Sequence, residues 1–213
     1  MTKIRISSLN KRKKKKTLLH DINYEFCGGK IYGLYGRNGS GKTMLLRAIA
    51  GLIMPSSGEI SIDEKILHKE FSFPSNISVI IENTSLLHQY NAYTNLKILS
   101  KIRNIATDED IKLAIKRVGL DPDSKMKVGK FSLGMKQRLS VAQAIFEKPD
   151  ILLLDEPTNA IDEEGVIQVY QILNEEKERG ALIILTSHHK QDLEALADEY
   201  IKMDNGGIVL DSK

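Results

Sequence analysis

Residues 36–43 read GRNGSGKT, a match to G-x-x-x-x-G-K-[ST]. Gly36, Gly39 and Gly41 let the backbone curl so that Arg37, Asn38, Ser40 and the loop's other amides turn toward an anion. A helix opening at this point adds the positive end of its dipole, with Met44 in its first turn. Lys42 then supplies a cation for the β- and γ-phosphates of a nucleotide, and Thr43 a hydroxyl for magnesium. The flanks carry what such a loop needs. Residues 30–35 are strand formers, while Met44, Leu45, Ala48 and Ile49 recur at helical spacing and stop near Gly51. The alternative, a glycine turn that binds nothing, does not require a strand before it and a helix after it.

Residues 151–157, ILLLDEP, put two acids directly after four aliphatics. An uninterrupted apolar run of this length is the pattern of a parallel strand covered on both faces, and its C-terminal end is where α/β sheets assemble ligand sites. Asp155 there can hold magnesium through its water shell, and Glu156 can polarise a water that attacks the γ-phosphate. Residues 182–185 are a second buried strand, and residues 58–62 and 77–81 are shorter ones. Helices are expected over 92–103, 108–118, 132–146 and 163–178. At the N-terminus, strands over 3–9 and 17–26 flank a basic turn and form a hairpin. Strands alternating with helices imply an α/β fold with a parallel sheet covered on both sides.

The length of 213 residues excludes a large multidomain machine, and 41% hydrophobic content suffices for a core without staples. The 31 basic and 28 acidic residues leave a net charge of +3, yet residues 11–16, KRKKKK, supply six of the cations, so the remainder is 25 against 28. That imbalance is local, and direct nucleic-acid binding is not expected. Cys27 is alone and the five histidines are scattered, which excludes a disulfide framework or structural zinc and suits a reducing, cytoplasmic setting. Apolar stretches fall far short of the roughly 18–20 residues that cross a bilayer, and the N-terminus has no apolar signal segment. Any membrane role is expected to come through a partner.

The stretch FSLGMKQRL from Phe131 narrows the nucleotide reading, because it resembles the signature motif of ABC ATPases. Ser132, Gly134, Gln137 and Arg138 match that motif; Leu133 and Met135 depart from it. A serine at a helix N-terminus with a glycine beside it makes a second anion cradle, which in this family serves the ATP held by the opposite subunit. Residues 159–162, NAID, resemble the D-loop on the dimer seam, ending at Asp162, and His188 resembles the switch histidine that contacts the γ-phosphate. His189 is incidental. Residues 51–58, GLIMPSSG, resemble the family segment that follows the phosphate-loop helix. The resemblance spans essentially the whole chain. It implies a P-loop NTPase of the ABC ATPase type: a mainly parallel core sheet, an N-terminal antiparallel β subdomain and an inserted α-helical subdomain. Residues 1–213 then form a single domain, with 1–82 and 133–213 as β subdomain and nucleotide core and about 83–132 as helical subdomain.

Two positions depart from the family pattern. Glu82, in ISVIIENTSLL, stands where the family has glutamine; it can reach magnesium or the attacking water, and adds negative charge near the phosphates unless the metal screens it. The same glutamate is familiar in ATPases resembling those of lantibiotic immunity and bacitracin resistance, and it is equally a tolerated variant unrelated to cargo. Lys13, in register with the aromatic that stacks on adenine, offers an alkyl stem or a cation instead. Discrimination between ATP and GTP is expected to be weaker than with the aromatic. The basic run itself reads as a solvated turn, as a contact to anionic lipid, or as a contact to nucleotide phosphates.

The resemblance implies an ATPase using ATP and Mg2+, with Lys42, Glu156 and His188 as its catalytic groups. Gly36 through Met44, Lys13, Ser132, Gly134 and Asp162 form its nucleotide contacts, and Thr43, Asp155 and Glu82 its metal contacts. Two copies are expected to form a homodimer on the inner face of the cell membrane and drive a separate membrane-spanning permease, with export of or resistance to a peptide antibiotic as the role. The competing readings are a soluble ABC-type ATPase outside transport and a regulatory nucleotide-binding subunit.

Overall fold

In the computed structural model, which describes residues 1–14, 16–82 and 85–209, the chain opens with a long hairpin of β1 (Lys3–Lys13) and β2 (Lys16–Cys27). β3 (Lys30–Tyr35) leads into α1 (Lys42–Ile49), followed by β4 (Ser57–Ile62), β5 (Lys65–Ile66) and β6 (Ile77–Ile80). Next come α2 (Ala92–Arg103), α3 (Asp108–Arg117) and α4 (Leu133–Ile145), then β7 (Ile151–Asp155), α5 (Glu163–Glu178), β8 (Leu182–Ser187), β9 (Glu199–Asp204) and β10 (Gly207–Val209). The strands form an antiparallel sheet of order β2-β1-β4-β5 and a core sheet of order β10-β9-β3-β8-β7-β6. Within the core sheet every neighbouring pair is parallel except β9 and β10. The expected α/β architecture, a mainly parallel sheet beside an N-terminal antiparallel one, is present.

The apolar runs of β7 and β8 explain the layering. Leu152, Leu154, Ile183 and Leu185 enter a core shared with residues of α2 to α5, whereas Ile151, Leu153, Leu182 and Ile184 enter one beneath α1 and the antiparallel sheet. Alternate side chains go to opposite faces, so a strand covered on both sides has no polar position until its end. Each such Leu or Ile contributes about 1.5–3 kcal/mol by leaving water. The run stops at Asp155, which is only partly buried and lies where β3, β7 and β8 all end.

Two departures from expectation concern the edges of the molecule. The hairpin strands were expected to end at residue 9 and resume at 17, but the ladder continues through Lys11↔Leu19, Arg12↔Thr17 and Lys13↔Lys16, with register shifts. Most of the basic run is therefore strand. The Lys11 ammonium donates to the Met54 carbonyl at 2.7 Å and the Arg12 amide to Ser56 Oγ at 3.0 Å, which pins the run to the segment after α1. Lys15 lies outside the described residues. The strands β5, β9 and β10 were not expected from the sequence, and β5 and β10 are only two and three residues long.

The expected bounds of α2 and α5 coincide with those observed, and α3 and α4 differ by a residue at their ends. Asn91 caps α2 by accepting from the Thr94 amide, and Thr107 and Asp110 make a reciprocal capping box on α3. Buried Asn95 exchanges hydrogen bonds with the Leu87 backbone, which fastens the segment entering this helical layer. Asn83 and Thr84, where the helical subdomain was expected to begin, lie outside the described residues.

Candidate functional site

The glycine loop closes around the end of β3 and delivers the first turn of α1 uncapped. Gly41 precedes that turn with φ +107°, and among the described residues no side chain bonds to the turn's amides, so these orphan donors face a cavity of about 270 Å³. Ser40, 5% exposed, has a buried Oγ with no hydrogen-bond partner in the same loop. Such an atom costs stability unless something supplies a partner. Orphan amides and an orphan hydroxyl in one cradle fit a phosphate group. Lys42, 6% exposed, folds back to donate to the Gly36 carbonyl at 2.7 Å. Burial pulls its pKa below the usual lysine value, while Glu156 and Asp155 push against that shift. The ammonium is thus held over the loop by weak carbonyl acceptors, which suits a group awaiting an anion.

Asp155 is fixed at both oxygens. Thr43 Oγ1 donates to one at 2.8 Å and Thr186 Oγ1 to the other at 2.6 Å. Thr186 in turn accepts from the Glu156 amide at 3.1 Å. The ends of β7 and β8 and the start of α1 are tied in one chain of bonds, which holds Asp155 against Thr43, a residue of the cavity lining. A hydroxyl and a carboxylate in contact are a donor set that suits magnesium bound chiefly by phosphate and water.

Glu156 has φ +51°, which turns its side chain away from the strand direction. Its carboxylate lies 2.7 Å from His188 Nε2, and the Asn159 amide reaches the other oxygen at 3.5 Å. Glu156 lines both the loop cavity and a neighbouring cleft of about 210 Å³ that contains Asn159 and His188. A carboxylate and an imidazole sharing a hydrogen bond beside a phosphate cradle can orient a water and move its proton. The His189 amide donates to Ser187 Oγ at 3.2 Å.

The signature residues lie elsewhere. Ser132 caps α4, accepting from the Met135 amide at 3.1 Å. Gly134 packs so closely on the 159–162 loop that a Cβ there would stand 2.8 Å from the Ala160 carbonyl oxygen. Arg138 pairs with Asp162, whose carboxyl is held below its usual pKa by that hydrogen bond. Ser132, Gly134, Arg138, Ala160 and Asp162 line an open groove that shares no lining residue with the loop cavity. Gln137 links the two regions, donating to the Pro157 carbonyl at 3.0 Å.

Two expected contacts are not brought to the loop cavity. Glu82 is bound to Arg47 at 2.7 Å, one turn along α1 from Thr43, and its side chain is largely exposed. Lys13 pairs across the hairpin with Lys16, and Lys16, Thr17 and Leu18 line the cavity in its place. The turn at Asn205 and Gly206 completes that wall. Lys16 entered the sequence reading only as part of the basic run, for which contact to nucleotide phosphates was one of three readings; this turn was not singled out. The signal for the turn was present: Asn-Gly between apolar stretches marks a two-residue hairpin, and here it joins β9 to β10.

The sequence profile of the family described as ABC transporter matches residues 19–159. The chain is 60% identical over 210 residues to the uncharacterized ABC transporter ATP-binding protein YybJ of Bacillus subtilis (strain 168), covering 99% of this chain and 96% of that one. It is 34% identical over 212 residues to the lantibiotic transport ATP-binding protein SrtF of Streptococcus pyogenes, with 99% and 90% coverage. With the bacitracin transport ATP-binding protein BcrA of Bacillus licheniformis it shares 37% identity over 199 residues, 92% of this chain and 65% of that one. The dimeric structure of MJ0796, a bacterial ABC transporter cassette, has the same fold, with a TM-score of 0.87 at 21% identity over 97% of each chain. A profile covering most of the chain, and relatives well above 30% identity over nearly all of it, agree with the site geometry: the chain belongs to the ABC transporter family, as one of its ATP-binding, ATP-hydrolysing cassettes.

Proposed function

We propose that two copies of this chain close head to tail around two ATP molecules and drive a separate membrane-spanning subunit that exports, or protects against, a peptide antibiotic. The observation that carries the reading is the division of the site: the phosphate cradle and the signature groove share no lining residue within one chain. Each ATP is then completed by Ser132 and Gly134 of the second copy, with Asp162 at the seam.

In the working site the loop amides, Ser40 and Lys42 hold the β- and γ-phosphates. Thr43 and Asp155 hold magnesium, which supplies charge neutralisation on the phosphates. Glu156 orients the attacking water and accepts its proton, and His188 fixes the Glu156 carboxylate and faces the γ-phosphate. Catalysis is positioning and charge stabilisation, with no covalent intermediate. Glu82 joins the metal only by leaving Arg47; while paired, it adds little negative charge near the phosphates.

The subdomain division follows the same reading, with residues 1–82 and 133–213 as the nucleotide-holding body and about 83–132 as the layer that meets the membrane subunit. Ile98, Ile102 and Ile105 are exposed in that layer, Ile102 at 79%, an apolar stripe suited to a partner. Among the described residues no helix is long and apolar enough to cross a membrane. The inner membrane face is therefore reached through that partner. The antibiotic role rests on the similarity to the lantibiotic and bacitracin transport proteins.

Light scattering on purified Glu156→Gln tests the core of this reading. Nucleotide binding persists, hydrolysis stalls, and magnesium with ATP converts monomer to dimer. Binding without dimer formation overturns the head-to-tail homodimer. Deleting the chain in its host and measuring growth inhibition by bacitracin and by a lantibiotic tests the cargo, and unchanged sensitivity to both removes the antibiotic role.

A further inference from the structure

The phosphate cradle fixes where a nucleotide's anionic end lies, so its nucleoside must leave along the rest of the cavity lining. Apart from Glu156, already placed at the catalytic end, that lining consists of Lys16, Thr17 and Leu18 from β2 and the Asn205–Gly206 turn. Among the described residues, none that lines the cavity is aromatic. The wall is built into the fold. The Gly206 amide donates to the Ser40 carbonyl at 2.9 Å, and the His20 amide donates to the Gly206 carbonyl at 2.8 Å. The turn therefore bridges the phosphate loop and β2. Only glycine serves at this bridge: Gly206 has φ +83°, and a Cβ there would stand 2.7 Å from the Leu18 carbonyl oxygen.

Lys16 stands on this wall opposite Lys13 in the ladder. Directly opposed residues share a face, and two ammonium groups there repel. Among the described residues neither has a carboxylate partner. An anion or an acceptor-rich group placed in the cavity relieves that repulsion. An ammonium donates only, and both purines present an acceptor at N7, guanine also at O6.

We infer that Lys16 is a specificity-determining residue of the nucleotide site: it engages the triphosphate nucleoside by charge and by acceptor atoms rather than by stacking, so the cassette takes GTP as well as ATP. The inference rests on the proposed ATP site and moves the expected base-side contact from Lys13 to Lys16.

The test is competition of a fluorescent ATP analogue by ATP and by GTP on the full chain, for wild type, Lys16→Ala, Lys16→Arg and Lys14→Ala. In wild type the two nucleotides bind within about threefold of each other, a difference that one charge contact without stacking leaves. Lys16→Ala weakens both by about fivefold, the scale of one partly exposed ion pair. Lys16→Arg restores both, and Lys14→Ala, which removes a cation from the hairpin tip, leaves them unchanged. A tenfold or greater preference for ATP overturns the inference, as does equal weakening by Lys16→Ala and Lys14→Ala. Unaltered affinity in Lys16→Ala beside normal hydrolysis also sinks it while leaving the ATPase reading intact. Absence of nucleotide binding in the wild type overturns both.

Discussion

The two halves of the site are built on opposite plans. On the phosphate-loop side, Lys42 is buried, Asp155 is bonded at both oxygens and Glu156 is held by His188, so the groups are set in place before any ligand arrives. On the signature side Ser132 is exposed, the groove is open, and the shape comes from the contact of Gly134 with Ala160 and from Arg138 on Asp162. A self-sufficient cradle binds nucleotide within one chain. A shallow capped helix end gains strength only when another surface covers it and excludes water. If the proposed head-to-tail pair forms, binding and turnover have separable structural bases.

The sharpest way to break that contrast is Lys42→Ala. Removing a preorganised cation from the phosphate side is expected to lower phosphate release roughly 10³-fold, about 4 kcal/mol in the barrier. Retained turnover above a tenth of wild type would mean the loop is not the primary anion site.

A second test concerns how firmly the layer carrying the signature is tied to the core. Glu176 on α5 is buried, and it accepts from Arg117 of α3 at 2.8 Å and from Arg179 at 2.9 Å. Glu176→Ala leaves two partly buried guanidinium groups short of a partner and is expected to cost about 3 kcal/mol of unfolding free energy, read from the denaturant midpoint. A loss below about 1 kcal/mol would show that the Glu176 pairs add little to the tie between the layers.

Gly134→Ala comes next. The Ala160 carbonyl is backbone and cannot swing aside, so the added methyl group forces α4 and the 159–162 loop apart at a cost of about 1–2 kcal/mol. Turnover falls, whereas ATP affinity of the monomer is unchanged, because the loop cavity lies elsewhere. A matching loss of monomer affinity would contradict the division of the site.

How far the sequence carried this picture depended on whether a feature was local. GRNGSGKT, the four aliphatics before Asp155 and the serine before α4 could be read because a strand, a turn and a cap are each specified within a few residues. Glu82 was legible as a position but not as a partner of Arg47, since that pairing depends on how β6 approaches α1. Lys13 was placed by counting in register. The register shifts between Ile6 and Arg12 change which lysine meets the cavity, and no count along the chain anticipates them. Lys16 and Asn205 come together only through tertiary contact of β2 with the β9–β10 turn. The short strand β10 carries too few residues for a period to emerge.

The smallest expected effect is a pH dependence in the second tie between layers. Asp110 in α3 accepts from Lys148, in the segment leading to β7, and also from the Thr107 amide and hydroxyl. The lysine, first among these, holds its pKa down to about 2 from a usual value of 3.8. A carboxyl with a depressed folded pKa contributes stability that is fully present above its unfolded value and is lost as pH falls through the folded one. The contribution of Asp110 is therefore complete near neutrality and disappears between about pH 4 and pH 2. Asp110→Asn is expected to lower Tm by about 2–4 °C at pH 7, the equivalent of roughly 1 kcal/mol in a chain of this size. The difference from wild type should close as the pH is taken down through that window, because protonated Asp110 and asparagine then present the same charge to Lys148. A gap that persists at pH 2 would assign the effect to the capping box with Thr107 rather than to the tie with Lys148. The helical layer would then rest, among the described residues, on the pairs of Arg117 with Glu175 and Glu176 as its charged anchor between α3 and α5.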